Sequence, residues 1–527
     1  MSILKVCPTA GPAVKAHTLE PALVLSTSSL LQDLASESLL ALFEQMVLSS
    51  AAEFDDLLVA LRDRLNPKVG KHGIYNLAKC IAMIIATTTA EHRQKVVTGT
   101  LIFLKNSGTP TEEAALRQVQ LSLLMTGDLG RMVDLSKLDG VADELKSIYV
   151  QYFDSSSEDL KQAAAYALGN ASVGSQSTFL PAIVSKLDED NKKQQYLLLS
   201  ALREFIQCSF KLSGGDGIVP SLPIIVPPLL VHGADEEEGV RTMAAECLGS
   251  LTCLQPETML KRLESLQAGH SEIAAPGGFV AEDDTVSKKN AYICWTIASS
   301  IKLALAGKID SVQLAPFMPS FLKLLQKEEL SVRNASLLMV YSAAHHMPQV
   351  VAGLLKDEIM PSLYEVSKLK LERKVDLGPF THTVDDGIPL RKAALSIFAT
   401  CLDQLPGSLD IPAFMPVLAT ALGDAEDIQL HAHQIVISMC GRHATYLEAS
   451  VESFVEPLEK TMNKKPGTKT GTELERLNDW IKSAVRVMLA LSKVEGAMNS
   501  RKFADFVERI KGNSKFTYTV EALEQER

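Results

Sequence analysis

Aromatic residues are scarce: they make up 6% of the 527 residues, with only two Trp, while hydrophobic residues reach 46%. That balance disfavours a β-sandwich and points to Leu- and Ala-rich helical packing. The eight cysteines contain no CxxC pair and sit mostly inside apolar helical runs, so they read as reduced core thiols of an intracellular protein. Long apolar runs are missing too. The most apolar stretch, residues 218–231, is broken by Pro220, Pro223, Pro227 and Pro228, too short and interrupted to span a bilayer. Met1-Ser2-Ile3-Leu4-Lys5 opens no signal-peptide core. Positive charge is in deficit: the net charge of −11 argues against nucleic acid as the main ligand and favours partners with basic surfaces. No nucleophile elbow, P-loop or HExxH occurs, so neither an enzyme nor a cofactor is expected. His431, His433, Cys440 and His443 form the one dense set of potential metal ligands. Residues two apart on a helix point about 200° from each other, which disfavours a shared metal. His345-His346 read as one buried and one exposed helix position.

What the chain does have is a recurring unit. An acidic or Ser cluster is followed by an apolar residue, a basic one, and a small residue three positions further on. Leu160-Lys161 with Ala164, Val240-Arg241 with Ala244, Val332-Arg333 with Ser336 and Leu390-Arg391 with Ala394 are four copies. The basic positions 161 and 241 are 80 residues apart, two steps of 40, and His431 follows Arg391 by 40. A helical repeat near 40 residues marks an all-α HEAT-repeat α-solenoid, or superhelix, of roughly ten or eleven units. Each unit should hold two antiparallel helices, A and B. Helix A is announced by a Pro near an aromatic, at Pro181, Pro319, Pro361 and Pro416, placed in the first turn where the missing N–H costs nothing. Helix B follows the acidic cluster. Residues 72–86, 111–124, 191–206 and 287–301 read as further B helices. The basic residue is expected to pair with an acid of the same or next turn.

Departures from the period locate insertions. Pro319 and Arg333 are 14 residues apart and Pro416 and His431 are 15, but Pro361 and Arg391 are 30 apart. The surplus falls on residues 368–384. There Leu369, Leu371, Val375 and Leu377 alternate with Lys370, Glu372, Lys374 and Asp376, Gly378-Pro379 supplies a turn, and residues 380–384 return. This is the pattern of one β-hairpin inserted near 368–384. Stacking does not need it, so contact with a partner is its expected use. Residues 268–285, with Pro276-Gly277-Gly278 and acids 282–284, and residues 463–472, with Lys464, Lys465 and Lys469, read as loops.

At the hairpin the chain resembles a known family. Val375 to Gly387, with its GPFxHTVDDG run, leading into Leu390-Arg391-Lys392-Ala393-Ala394, resembles the C-terminal domain of the Cand family, the cullin-associated, neddylation-dissociated HEAT proteins also described as TBP-interacting. Ala165 to Asn170, Gln195 to Leu199, Ala245 to Gly249 and Asn334 to His345 match in order. The resemblance implies HEAT repeats over 1–344, a Cand-type C-terminal domain over 345–510 and a tail over 511–527. It implies a protein of cytoplasm and nucleus that binds the unneddylated cullin and RING subunit of a cullin–RING ligase and promotes exchange of substrate receptors. The hairpin would compete with the adaptor for the cullin, through Leu371, Arg373, Val375, Leu377, Gly378, Pro379, Phe380 and His382. Because only the family's C-terminal half is matched, a truncated product or a separately encoded N-terminal half is expected. An exposed apolar edge at Leu23, Val24, Leu30, Leu31, Leu34, Leu40 and Phe43 would serve association. A general HEAT scaffold, an importin-like adaptor and a TBP-binding transcription regulator are the alternatives.

Overall fold

The computed structural model describes residues 10–187, 191–213, 215–269, 284–376, 381–467 and 470–525. They form an α-solenoid of paired helices interrupted by one two-stranded sheet. The chain divides into two compact units, residues 1–255 with 271–296, and residues 256–270 with 297–527. No helix among the described residues is long and apolar enough to cross a membrane.

The first unit opens with α1 (Gly11–Leu25) and then pairs α2 (Asp33–Leu48), α3 (Phe54–Arg62), α4 (Lys71–Thr87), α5 (Ala90–Ser107), α6 (Glu113–Met132), α7 (Val141–Tyr152), α8 (Glu158–Gly174), α9 (Gln176–Leu187), α10 (Lys192–Ser213), α11 (Leu222–His232) and α12 (Glu238–Leu254). Its B helices α2, α4, α6, α8, α10 and α12 stack in that order, each on the next. The stack is tight because small residues meet backbone. A Cβ at Gly127 would overlap the Ala167 backbone, and one at Gly169 would overlap the Ala201 carbonyl oxygen. At Gly130 it would lie 2.8 Å from Ala171 Cα. Asp128, fully buried in this stack, accepts from Tyr166 Oη at 3.0 Å and pairs with Arg131 at 3.2 Å. Burial pushes its pKa up against the pull of Arg131.

The second unit holds α13 (Pro256–Gln267), the later part of α14 (Asp284–Ala306), α15 (Ser311–Leu314), α16 (Met318–Leu322), α17 (Leu330–His346), α18 (Pro348–Val351) and α19 (Met360–Val366). After strands β1 (Glu372–Asp376) and β2 (Thr381–Asp385) come α20 (Ile388–Gln404), α21 (Ile411–Ala421), α22 (Glu426–Met439), α23 (Ala444–Met462), α24 (Thr472–Ser492), α25 (Arg501–Lys511) and α26 (Thr517–Gln525). Here α17, α20, α22, α24 and α26 stack successively. Within the stretch read as a tail, α26 buries Val520 and Leu523.

Pro319 and Pro361 occupy the first turns of α16 and α19 as expected. Between α18 and α19, residues 352–354 form a 3-10 turn and Leu355–Ile359 a π turn, the widening expected just before a residue with no N–H to return. Pro181 and Pro416 lie instead inside α9 and α21, each six residues into its helix. The start of α21 is set by Asp410, whose carboxylate accepts from the Ala413 N–H, with Pro412 taking the first-turn position. The four expected B helices are present as α4, α6, α10 and α14. His345 and His346 correct the reading above: both are exposed, in edge-to-face contact at 4.7 Å, because they end α17 where its buried face has already passed at Ala343 and Ala344. His431 and His433 face different neighbours. His431 Nε2 lies 3.5 Å from Ser396 on α20, whereas buried His433 meets Ser483 on α24 at 2.9 Å through Nδ1.

Candidate functional site

The hairpin forms as its alternation implies. β1 and β2 pair antiparallel, with Glu372 opposite Asp385, Arg373 opposite Val384, Lys374 opposite Thr383, Val375 opposite His382 and Asp376 opposite Thr381. Pairing begins at Glu372, four residues after the sequence pattern starts; Leu369 to Leu371 serve its base instead. The strands' principal neighbours are each other. Glu372, Arg373, Lys374, Thr383 and Val384 are exposed, and Leu371 and Val375 are half-buried. Among the described residues neither face is covered by another element, so the strand pair projects from its repeat. Leu377, Gly378, Pro379 and Phe380 lie outside the described residues. So does the side chain of His382, which the backbone register sets opposite Val375.

The base of the hairpin is built around Arg391, the basic residue of this repeat. Its side chain is 2% exposed. Nη1 donates to the Leu369 carbonyl at 2.6 Å, and Nη2 to Asp385 Oδ2 at 2.7 Å. Nε and Nη2 grip both oxygens of Asp424 at 2.9 and 2.8 Å, the fork geometry that gives a guanidinium its strongest carboxylate pairing. Asp385 Oδ1 accepts from the Leu371 and Gly387 N–H groups at 2.9 and 3.0 Å. Asp424 Oδ1 also accepts from the Ala425 N–H at 2.6 Å, at the start of α22. One buried guanidinium thus ties together the segment entering the hairpin at Leu369, the strand leaving it at Asp385 and the next repeat at Asp424. Burial works against the Asp385 charge, but the Arg391 bond, the two N–H groups and the Arg391 charge outweigh it and hold its pKa at about 2. Gly387 leaves the room this arrangement requires: a Cβ there would press on the Leu369 oxygen and lie 2.8 Å from Arg391 Nη1. Arg373 makes a second, exposed tie, Nε to Asp386 Oδ2 at 2.6 Å.

The sequence reading paired the basic position with an acid of the same or next turn. Lys161 does pair with Glu158, one turn back, at 3.4 Å. The others take more distant partners. Arg333 reaches Glu365 on α19 at 2.9 Å, and Arg391 reaches Asp424 in the loop before α22. Arg241 donates to the carbonyls of Asp235 and Glu236 and stacks on Tyr292 and Trp295. The signal for the Arg391 cluster was present in Asp385-Asp386-Gly387 and in Asp424 ahead of a B helix, but the pairing crosses repeats.

At the other end, Leu30 and Leu34 are 88% and 77% exposed, with Val24 at 56%. Phe43 is a correction: it is fully buried, and Leu23 and Leu31 are buried as well. Its helix α2 packs on both α1 and α4, so the residue faces a filled interior and not an edge.

Comparison with known proteins places this architecture. Residues 350–511, which include the hairpin and the Arg391 cluster, match the family model described as TATA-binding protein interacting (TIP20). Cullin-associated NEDD8-dissociated protein 1 of Arabidopsis thaliana is 33% identical over 507 residues, 93% of this chain and 39% of that protein. The Dictyostelium discoideum protein of the same name is 32% identical over 95% of this chain and 39% of its own length. This chain belongs to the Cand family. It spans about 39% of the length of these curated relatives and corresponds to a C-terminal part of them. An Emericella nidulans relative, 25% identical over 66% of this chain, is itself named a C-terminal part. Among solved structures, the karyopherin Kap121p bound to Pho4p superposes with a TM-score of 0.51 at 13% identity, covering 97% of this chain and 50% of that one, a likeness of fold alone.

Proposed function

We propose that this Cand-family chain is a cullin-binding regulator of cullin–RING ligase assembly whose hairpin takes the surface an adaptor would use, so that the chain and the adaptor exclude each other. Release of the adaptor in this way would exchange substrate receptors, with the RING subunit among the contacts and no catalytic step by this chain. The supporting observation is the hairpin itself: a projecting strand pair whose described residues are largely exposed, rooted by a buried cluster of three charged side chains, Arg391, Asp385 and Asp424. Rigid presentation lowers the ordering cost of an interface element, which is how such an element gains affinity without new contacts. The test replaces residues 372–384 with a short Gly/Ser turn, keeping Leu369 to Leu371 and Asp385 so that the Arg391 cluster survives. The expected result is a ternary complex of variant, cullin and adaptor, where the parent chain displaces the adaptor. Displacement by the variant as strong as by the parent would show that the helices carry the exclusion.

A second surface favours association with another HEAT segment, a separately encoded N-terminal half. Leu30 and Leu34 are large apolar side chains left to solvent at neighbouring positions of one loop and helix start. Leu30→Asp with Leu34→Asp should abolish co-purification with such a polypeptide. Unchanged co-purification would reject the assignment.

A further inference from the structure

A cleft of about 530 Å³ opens in the first unit between α3 and α5. It exists because α3 has nine residues and ends at Arg62, while α5 has eighteen and runs on past it. The flank of α5 that faces the cleft carries His92, Lys95, Gly99 and Phe103, at helical spacing and all exposed. Ile81 and Met125, from the B helices below, make the floor apolar. Arg62 and Lys95 stand on opposite walls, and neither is ion-paired among the described residues. Desolvation by burial holds the Arg62 guanidinium below its usual pKa. Asp55 is the one carboxylate among the lining residues, and the two cations without an ion pair outnumber it, so the cleft is locally positive in a chain of net charge −11.

We propose that this cleft docks a partner protein through a short acidic segment whose large apolar side chain enters between α3 and α5, with its flanking carboxylates on Arg62 and Lys95. Charge complementarity selects this occupant: a basic segment would meet two cations, and a purely apolar one would leave them desolvated and unpaired. The cleft lies far in sequence from the hairpin and does not depend on the adaptor-exclusion reading. Gly99 supplies the means to test it, because a Cβ there meets nothing within 4 Å. Gly99→Trp therefore fills the cleft from a helix that gains, on intrinsic propensity, from losing its glycine.

The experiment displays random twelve-residue peptides to the full chain, followed by anisotropy titration of those enriched. Peptides that pair an aromatic or Leu with two or more Asp or Glu should be enriched. Their affinity should fall at least tenfold with Gly99→Trp and with Arg62→Glu plus Lys95→Glu, and stay within twofold for Gly99→Ala. Circular dichroism and melting temperature confirm that each variant is folded. Enrichment of basic or uncharged peptides, binding that survives Gly99→Trp, or no enrichment at all would overturn the proposal.

Discussion

In the first unit, α6, α8 and α10 approach until a single methyl group has no room between them, and shape holds them beside a bond from Tyr166 to the buried Asp128. In the second unit, at the repeat carrying the hairpin, the neighbour is held by one guanidinium shared between Asp385 and Asp424. The steric contact is spread along the helices, at Gly127 and Gly130 of α6 and at Gly169 of α8. The charged one concentrates its strength at a point, in the turn between helices, and leaves that turn free to grow. A hairpin can be added there because its two ends are pinned by the same side chain that joins the repeats. Charge-assisted bonds are directional, which fixes where the added element points as well as where it starts.

The largest effect that would break this comparison is at Arg391. Arg391→Ala leaves Asp385 and Asp424 largely buried without their cation, and removal of one partner from a buried pair costs about 3–5 kcal/mol. Hydrogen exchange of residues 388–404 and of the strands should rise together, with residues 158–213 unchanged. Arg391→Lys should rescue little, because an ammonium cannot span Leu369, Asp385 and Asp424 at once. Uncoupled exchange of hairpin and helix would contradict a shared anchor.

Next in size is the steric interface. Gly169→Ala gains roughly 1 kcal/mol of helix propensity, but its methyl must displace the Ala201 carbonyl, and overpacking of this kind costs about 1–3 kcal/mol. A net loss confined to exchange in α8 and α10 is expected. A stabilised variant would mean that the two helices part without cost.

A smaller effect comes from acid. Asp385 is held at about pKa 2 in the folded chain, below its ordinary value of 3.8. Its contribution is therefore present above about pH 4 and is lost as pH falls towards 2. Exchange protection at the Leu371 and Gly387 N–H groups should fall through that window in the parent chain. In Asp385→Asn it should be low and flat across the same range. A parent profile without that step would remove the carboxylate from the anchor.

Much of this was legible in the sequence, for identifiable reasons. The B helices and the hairpin follow from local patterns, period 3.6 in one case and alternation in the other, and a doubled Pro-to-Arg spacing marked the insertion. Helix starts at Pro181 and Pro416 were not legible, since a Pro six residues in looks the same as one in the first turn until the cap at Asp410 is known. Phe43 was misjudged because its cover comes from α1 and α4, which sequence alone does not assemble around it. The Asp424 contact and the α3–α5 cleft were hidden for a related reason: both arise from distances between helices.

The smallest expected effect sharpens the comparison most directly, because it concerns the same position of the repeat. Lys161 stands where Arg391 stands, after an apolar residue and before a small one. Its partner Glu158 is 69% exposed and 3.4 Å away on the same helix, whereas Arg391 is 2% exposed with bidentate partners. Exposed pairs of this kind contribute roughly 0.2–1 kcal/mol, and less as salt rises. Lys161→Ala should therefore change the stability of the first unit by less than about 0.5 kcal/mol, with exchange in α8 almost unaltered. If it instead matched Arg391→Ala, the basic position would be a general fastener of the solenoid. The weight on Arg391 would then owe nothing to the hairpin. A small effect at Lys161 beside a large one at Arg391 assigns the difference to burial and to the two carboxylates that Arg391 joins, Asp385 of the hairpin repeat and Asp424 of the next.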